Sequence, residues 1–364
     1  MMRKRDEGAP PESDALEGAP HPRATLDFFG NAAAERDLLD AYRARRLPQT
    51  WILGGPEGVG KATLAWRFAR FLLAHPDPAA PDVAAAIDLS VPRDHPIVGK
   101  VNALALGDLA VLRREWNSKV KPPRPFSEIR VEDVRAATRM FQMASSSGGW
   151  RVCVVDSAED LNRSSANALL KLIEEPPPRS LFMFVSQRPG RILPTIRSRA
   201  RLLMMRPLAN DEVARAISAL GEPWSEFGGG IAAACGLAGG SVRRALNLLD
   251  PDRLAFERRI DGVLKNLPRV DWKGVHDIAD KCGLISQIDE YETLIARCLD
   301  WLDERVREDA PVERLKPYAD AWEKARGRIR EAEALNLDKR ALILLVFNDL
   351  AEAELSARRW PAGV

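Results

Sequence analysis

Residues 50–63 read Thr50-Trp51-Ile52-Leu53-Gly54-Gly55-Pro56-Glu57-Gly58-Val59-Gly60-Lys61-Ala62-Thr63. An apolar run of strand length leads into a glycine-rich turn, and residues 62–74 then carry apolar side chains at helical spacing. Strand, glycine turn and helix in that order form a phosphate-binding P-loop, G-x-x-x-x-G-K-[ST]. Its glycines let backbone N–H groups curl around phosphate oxygens at the positive end of a helix dipole, and its lysine reaches the outer phosphates. Gly55, Gly58, Gly60, Lys61, Ala62 and Thr63 are the candidate nucleotide-binding positions of the loop. Of these, Ala62 stands where the motif calls for a hydroxyl to ligate Mg²⁺. Thr63 does not restore that hydroxyl, because the next helical residue points about 100° away around the axis. The stretch describes a nucleotide-binding scaffold whose metal chemistry is weakened.

A second chemical site reads Arg151-Val152-Cys153-Val154-Val155-Asp156-Ser157. In P-loop ATPases a buried strand ends in an aspartate that helps to hold Mg²⁺, commonly followed by a glutamate that polarises the attacking water. Asp156 fits the first role, although a helix-capping carboxylate after a strand has the same appearance. Ser157 stands in the glutamate's place, and a neutral hydroxyl is a poor general base. The two losses, at 62 and 157, remove a metal ligand and a base together.

The rest of the chain sets these sites in context. Residues 1–25 are rich in Pro, Gly and charge and read as a disordered tail. A helix is expected over 32–45, and the proline-rich segment 76–125 reads as an insertion with one apolar stretch, Leu104 to Leu112. An amphipathic helix over 129–143, strands over 151–155 and 181–186 and a helix over 164–175 alternate in the manner of an α/β parallel sheet. This first domain is expected over 26–208. Capping signals at Asn210-Asp211-Glu212 and Gly239-Gly240-Ser241 mark a small helical unit over 209–250. Residues 251–364 read as an all-α domain broken at Pro311 and Pro317.

A net charge of +2 argues against a uniformly basic surface for coating nucleic acid. Cys153, Cys235, Cys282 and Cys298 lie far apart without C-x-x-C spacing, so neither a metal module nor a disulfide framework is expected. No apolar run has the length of a membrane span, and the expected location is the cytoplasm.

The string Asn167-Ala168-Leu169-Leu170-Lys171-Leu172-Ile173-Glu174-Glu175-Pro176-Pro177, followed by Leu193-Pro194-Thr195-Ile196-Arg197-Ser198-Arg199, resembles the clamp-loader branch of the AAA+ proteins, which serves bacterial DNA polymerase III in DNA replication. The resemblance covers about residues 26–250 by motif and the C-terminal third by helical character alone. It implies an AAA+ P-loop domain, a helical lid (209–250) and a helical collar that assembles a ring of five. The implied ligand is ATP, and the implied partners are ATPase subunits of the gamma/tau type, a delta subunit, the sliding clamp and primed DNA. Arg199 matches the arginine of the family's Ser-Arg-Cys motif, which reaches across to the ATP of the neighbouring subunit. Here the motif is Ser198-Arg199-Ala200, which departs at its third residue and keeps the guanidinium. Ser186 falls in the sensor-1 region and Arg243 aligns with the sensor-2 arginine. Relatives often carry a four-cysteine zinc module after the P-loop helix; the corresponding segment 76–125 has no cysteine, so zinc is not expected.

Together these readings describe a weak or inactive ATPase that lends Arg199 to an adjacent ATP site. Two other classes compete. An active AAA+ motor, of a clamp loader or a helicase, is opposed by Ala62 and Ser157. A metabolic P-loop kinase is opposed by the long helical C-terminus and the Asn167–Pro177 string. The purified chain alone is expected to hydrolyse ATP slowly. Steady-state turnover, compared with that of Ala62→Thr, checks this, and vigorous Mg²⁺-dependent hydrolysis by the unmodified chain would refute it.

Overall fold

The computed structural model describes residues 12–16, 19–119, 124–143, 145, 148–283, 288–335 and 337–359. They fall into two compact units, Met1–Leu249 and Asp250–Val364.

The first unit is built on a five-stranded sheet: β1 (Thr50–Gly54), β2 (Leu109–Leu112), β3 (Arg151–Asp156), β4 (Ser180–Ser186) and β5 (Arg201–Met204). The order across the sheet is β2-β3-β4-β1-β5, and every pairing is parallel. The register sets Val111 beside Val154, Val154 beside Met183, Ile52 beside Phe184 and Leu53 beside Leu203. Parallel strands need crossover connections, so helices cover both faces and the inner strands become apolar on both sides. Every residue of β1 and β4 is accordingly buried. On one face lie α3 (Val131–Gln142) and α4 (Arg163–Glu174), with Phe141 stacked on Phe182 at a centroid distance of 4.6 Å. Leu169, Ile173, Phe184 and Ile196 join that core. Helix α2 (Lys61–Ala74) contributes Trp66, Phe68, Phe71 and Leu72, all buried.

Two strands depart from the sequence reading. Residues 109–112, expected within an insertion, form the edge strand β2, and β5 lies where no strand signal was found. The remainder of the proline-rich segment includes two short helices, Pro81–Ala85 and Pro96–Asn102, each opening on a proline whose missing N–H is no loss at that position. It is secured by charged side chains from α1 (Ala32–Arg43) and α2. Arg43 donates to the carbonyls of Val83, Ala84 and Ala86. Buried Glu35 accepts from Arg67 Nε at 2.5 Å and from the Leu89 N–H at 3.0 Å.

Residues 12–16 and 19–25, expected in a disordered tail, are placed against this unit by ionic contacts, whereas 1–11, 17 and 18 lie outside the described residues. After β5 come α5 (Asn210–Ser218), α6 (Gly228–Leu237) and α7 (Val242–Asn247). Gly240 brings this helical segment hard against the end of the sheet: a Cβ there would meet the Leu208 backbone at 2.6 Å, and the Gly240 carbonyl accepts the Leu208 N–H at 3.1 Å.

Among the described residues the second unit is all helical: α8 (Pro251–Lys265), α9 (Trp272–Cys282), α10 (Ile288–Val306), α11 (Val312–Leu335) and α12 (Lys339–Arg358). Its core contains Ile260, Ile278, Leu302, Phe347 and Leu350. Pro311 precedes α11 as expected, but the helix runs through Pro317. That proline, the sixth residue of α11, leaves one backbone acceptor of the preceding turn without its usual N–H, and Tyr318 beside it donates its hydroxyl to Glu354 at 2.9 Å. Buried Asp349 is paired with Lys324 at 2.6 Å and with Arg328. Burial pushes the thiols of Cys153, Cys282 and Cys298 up to about 12, which suits packing and not reactivity. No helix among the described residues is long and apolar enough to cross a membrane.

Glu35→Ala leaves Arg67 and the Leu89 N–H without their shared acceptor. It is expected to destabilise the first unit by about 3 kcal/mol in urea unfolding.

Candidate nucleotide site

The carboxyl end of β1 opens into the P-loop between β4 and β5. This is the point at which successive connections leave the sheet in opposite directions, where α/β folds form their ligand crevices. The loop needs glycine for reasons visible on two sides. A Cβ at Gly55, with φ 144°, would lie 2.5 Å from the Met205 carbonyl oxygen, and one at Gly58, with φ 75°, would lie 2.1 Å from Ser241 Oγ. Gly60 is the residue before α2, so the loop ends at a helix N-terminus.

Lys61 is buried, and its ammonium donates to the carbonyls of Gly55, at 2.8 Å, and Pro56. Burial holds it below the usual lysine range, against the opposing pull of Asp156, Glu57 and Glu159. Burial likewise pushes the Asp156 carboxyl up to about 7. The charges of Asp14 and Glu159 add to this, while Lys61 and the Ser157 hydroxyl, 3.4 Å away, oppose it.

These groups surround a cavity of about 290 Å³. Gly58, Gly60, Lys61, Ala62 and Thr63 line it from the loop, and Asp156 and Ser157 from the end of β3. Phe28, Phe29, Leu208, Leu220 and Leu246 make an apolar part of the wall. Arg243 also lines the cavity, with its Nε 3.2 Å from Glu57, and the Val242 N–H donates to the Gly58 carbonyl at 2.9 Å.

Ser186 is not brought to this cavity. It is fully buried, and its hydroxyl accepts the Arg188 N–H at 3.0 Å. Its strand neighbours Val185 and Gln187 line the cavity instead, because alternate residues of a strand face opposite ways. Gln187 donates its N–H to Glu159 Oε1 at 2.9 Å. Sequence reasoning also missed Ser13 and Asp14, which line the cavity, and the ion pair of Arg114 and Asp160 at 3.0 Å. Only the strand-end position of Gln187, one residue past the expected sensor, offered a signal.

Arg199 lies elsewhere. It shares a shallow hollow with Pro48, Gln49, Thr50, Glu174 and Pro176, at the amino end of β1. Its guanidinium meets Glu174 at 3.0 Å and donates to the Thr195 carbonyl at 3.0 Å. From Thr50 to the P-loop the strand spans about 13 Å at ~3.3 Å per residue, beyond the reach of one arginine side chain.

A sequence model of the family described as DNA polymerase III, delta subunit matches residues 30–209. Over 152 residues the chain is 34% identical to DNA polymerase III subunit delta' of Pseudomonas aeruginosa, covering 41% of this chain and 40% of that one. The likeness is to the delta-prime subunits of DNA polymerase III. It is 26% identical over 236 residues to the delta-prime subunit of Escherichia coli, covering 65% of each chain. Against subunit gamma/tau of Mycobacterium tuberculosis it is 30% identical over 179 residues, 49% of this chain and 28% of that one. The matched stretch thus spans about two fifths of the first delta-prime relative and just under two thirds of the second. The architecture is compatible with this likeness: a parallel sheet with a P-loop, a small helical segment and a helical second unit.

The raised Asp156 carboxyl has a definite consequence for stability. Between about pH 4 and pH 7 the folded chain holds a proton that the unfolded chain has released, so stability falls as pH rises through that window and the penalty is complete above it. Asp156→Asn removes the titration. Urea midpoints at pH 5 and pH 8 are expected to show the variant gaining on wild type by at least ~1 kcal/mol at the higher pH.

Proposed function

We propose that this chain is a clamp-loader subunit of DNA replication that binds ATP without turning it over at a useful rate and presents Arg199 to the triphosphate of an adjacent subunit. The observation that carries this reading is the separation of Arg199 from its own P-loop by the length of β1. Any phosphate that this guanidinium neutralises belongs to another molecule. Its present partner is no obstacle, since the Arg199–Glu174 pair is half-exposed and an exposed pair contributes ~1 kcal/mol at most. An arginine supplied in trans is worth about 10³ to 10⁵ in rate when it meets charge developing on a transferred phosphoryl.

The cavity suits one half of the Mg²⁺-ATP chemistry and not the other. Its glycine backbone and Lys61 suit phosphate, its apolar wall suits a base, and Arg243 and Gln187, which line it, are the proposed sensors of the outer phosphates. Mg²⁺ would find Asp156 but only a methyl group at Ala62, and water would find no base at Ser157. Glu159 does not line the cavity, and one of its oxygens is turned to the Gln187 N–H.

The likeness to gamma/tau and delta' subunits of DNA polymerase III supports a partner of the gamma/tau ATPase type; a delta subunit, a five-membered ring, and engagement of the sliding clamp and primed DNA through the assembly are proposed with it. The second helical unit is the proposed collar, and the cytoplasm the proposed location. In the assembled loader, Arg199→Ala is expected to lower clamp- and DNA-stimulated ATP hydrolysis by about a hundredfold or more, while Lys61→Ala changes it by less than about threefold. The reverse pattern would overturn trans-activation.

A further inference from the structure

One wall of the P-loop cavity is made by the chain's own N-terminal segment. Ser13, Asp14, Leu16, Ala19 and Pro20 line it together with the loop. The segment is fastened to the body by polar contacts across long stretches of sequence. Ser13 donates its hydroxyl to the Arg114 carbonyl, and Arg113 grips Asp14 at 2.8 Å and Glu12 at 3.1 Å. Arg23 holds Glu12 at 2.7 Å and the Asn102 carbonyl at 2.9 Å, while Arg70 donates to the Arg23 carbonyl at 2.6 Å.

Glu12, Asp14 and His21 lie close enough together to suggest a metal site, but the hydrogen bonding argues otherwise. His21 Nδ1 accepts the Arg23 N–H at 3.0 Å, so the imidazole proton sits on Nε2 and faces Asp14 at 3.1 Å. With Nε2 protonated and both carboxylates matched by arginines, the cluster is a latch without a free ligand atom on the imidazole.

The latch places negative charge where a polyphosphate would arrive. Asp14 is near enough to Asp156 to help push its carboxyl up, and the cavity's ~290 Å³ falls just below the ~300–1,000 Å³ usual for a ligand site. We propose that the N-terminal segment is an internal gate on this site: Arg113 holds Asp14 against the cavity, and a nucleotide's phosphates enter only as that contact opens. The inference rests on the reading of the cavity as a nucleotide site and adds its regulation.

Calorimetric titration of the full-length protein with ATP and Mg²⁺, alongside amide exchange of the segment 12–25, tests it. Saturating ATP is expected to speed exchange in that segment of the wild-type protein. Asp14→Asn is expected to tighten ATP binding by about tenfold, the effect of withdrawing one like charge from a phosphate site, and Arg113→Ala to tighten it comparably by releasing Asp14 and its segment from the cavity. Adding Lys61→Ala to Arg113→Ala should abolish the gain. Unchanged exchange at saturation refutes the gate without recourse to any variant, and so do wild-type affinities in both folded variants. Absence of ATP binding in every protein would instead remove the nucleotide reading, and the gate with it.

Discussion

β1 is hydrogen-bonded on both of its edges, to β4 on one side and to β5 on the other, and the placement of the chemistry follows from that sandwiching. A strand so enclosed has no freedom to tilt or slip, since a shift of one residue would turn every side chain to the opposite face. Its carboxyl end is thereby fixed in the crevice, with Asp156 arriving from β3 and Gln187 from β4. Its amino end is fixed beside Glu174 and Arg199. One short strand holds two cationic sites apart, which is the geometry a subunit needs if it is to receive one nucleotide and act on another.

Around this frame the chain manages charge by burial and pairing. Glu35, itself held by Arg67, and Arg43 bind the backbone of the proline-rich segment. A buried polar group left unpaired costs more than a made bond contributes, so such contacts specify where the segment goes as much as how firmly it stays. The second unit solves a similar problem at Asp349, which Lys324 and Arg328 neutralise.

The sequence made the glycine loop, Lys61, Asp156 and the three inner strands plain, because their signals are local: a motif, an apolar run, a turn. The two outer strands were not legible. β2 is four residues inside a longer segment whose ends are rich in proline, and β5 exposes Arg201, Leu202 and Met204, so neither shows the buried run of a central strand. Ser186 misled because its strand is apolar on both faces, and composition does not say which face meets the cavity. The N-terminal segment looked like a solvated tail, since the partners that hold it lie as much as 101 residues away in the chain. Pro317 looked like a break because an interior proline forfeits a backbone hydrogen bond, a local rule that α11 overrides.

The hydrogen bond from Val242 to the Gly58 carbonyl, with Gly240 pressed on Leu208, couples the glycine turn mechanically to the helices beyond the sheet. A turn clamped in this way cannot reshape alone. Any ligand that rearranges its amides must also tug α7, so occupancy would be transmitted as leverage whether or not the bound molecule is cleaved.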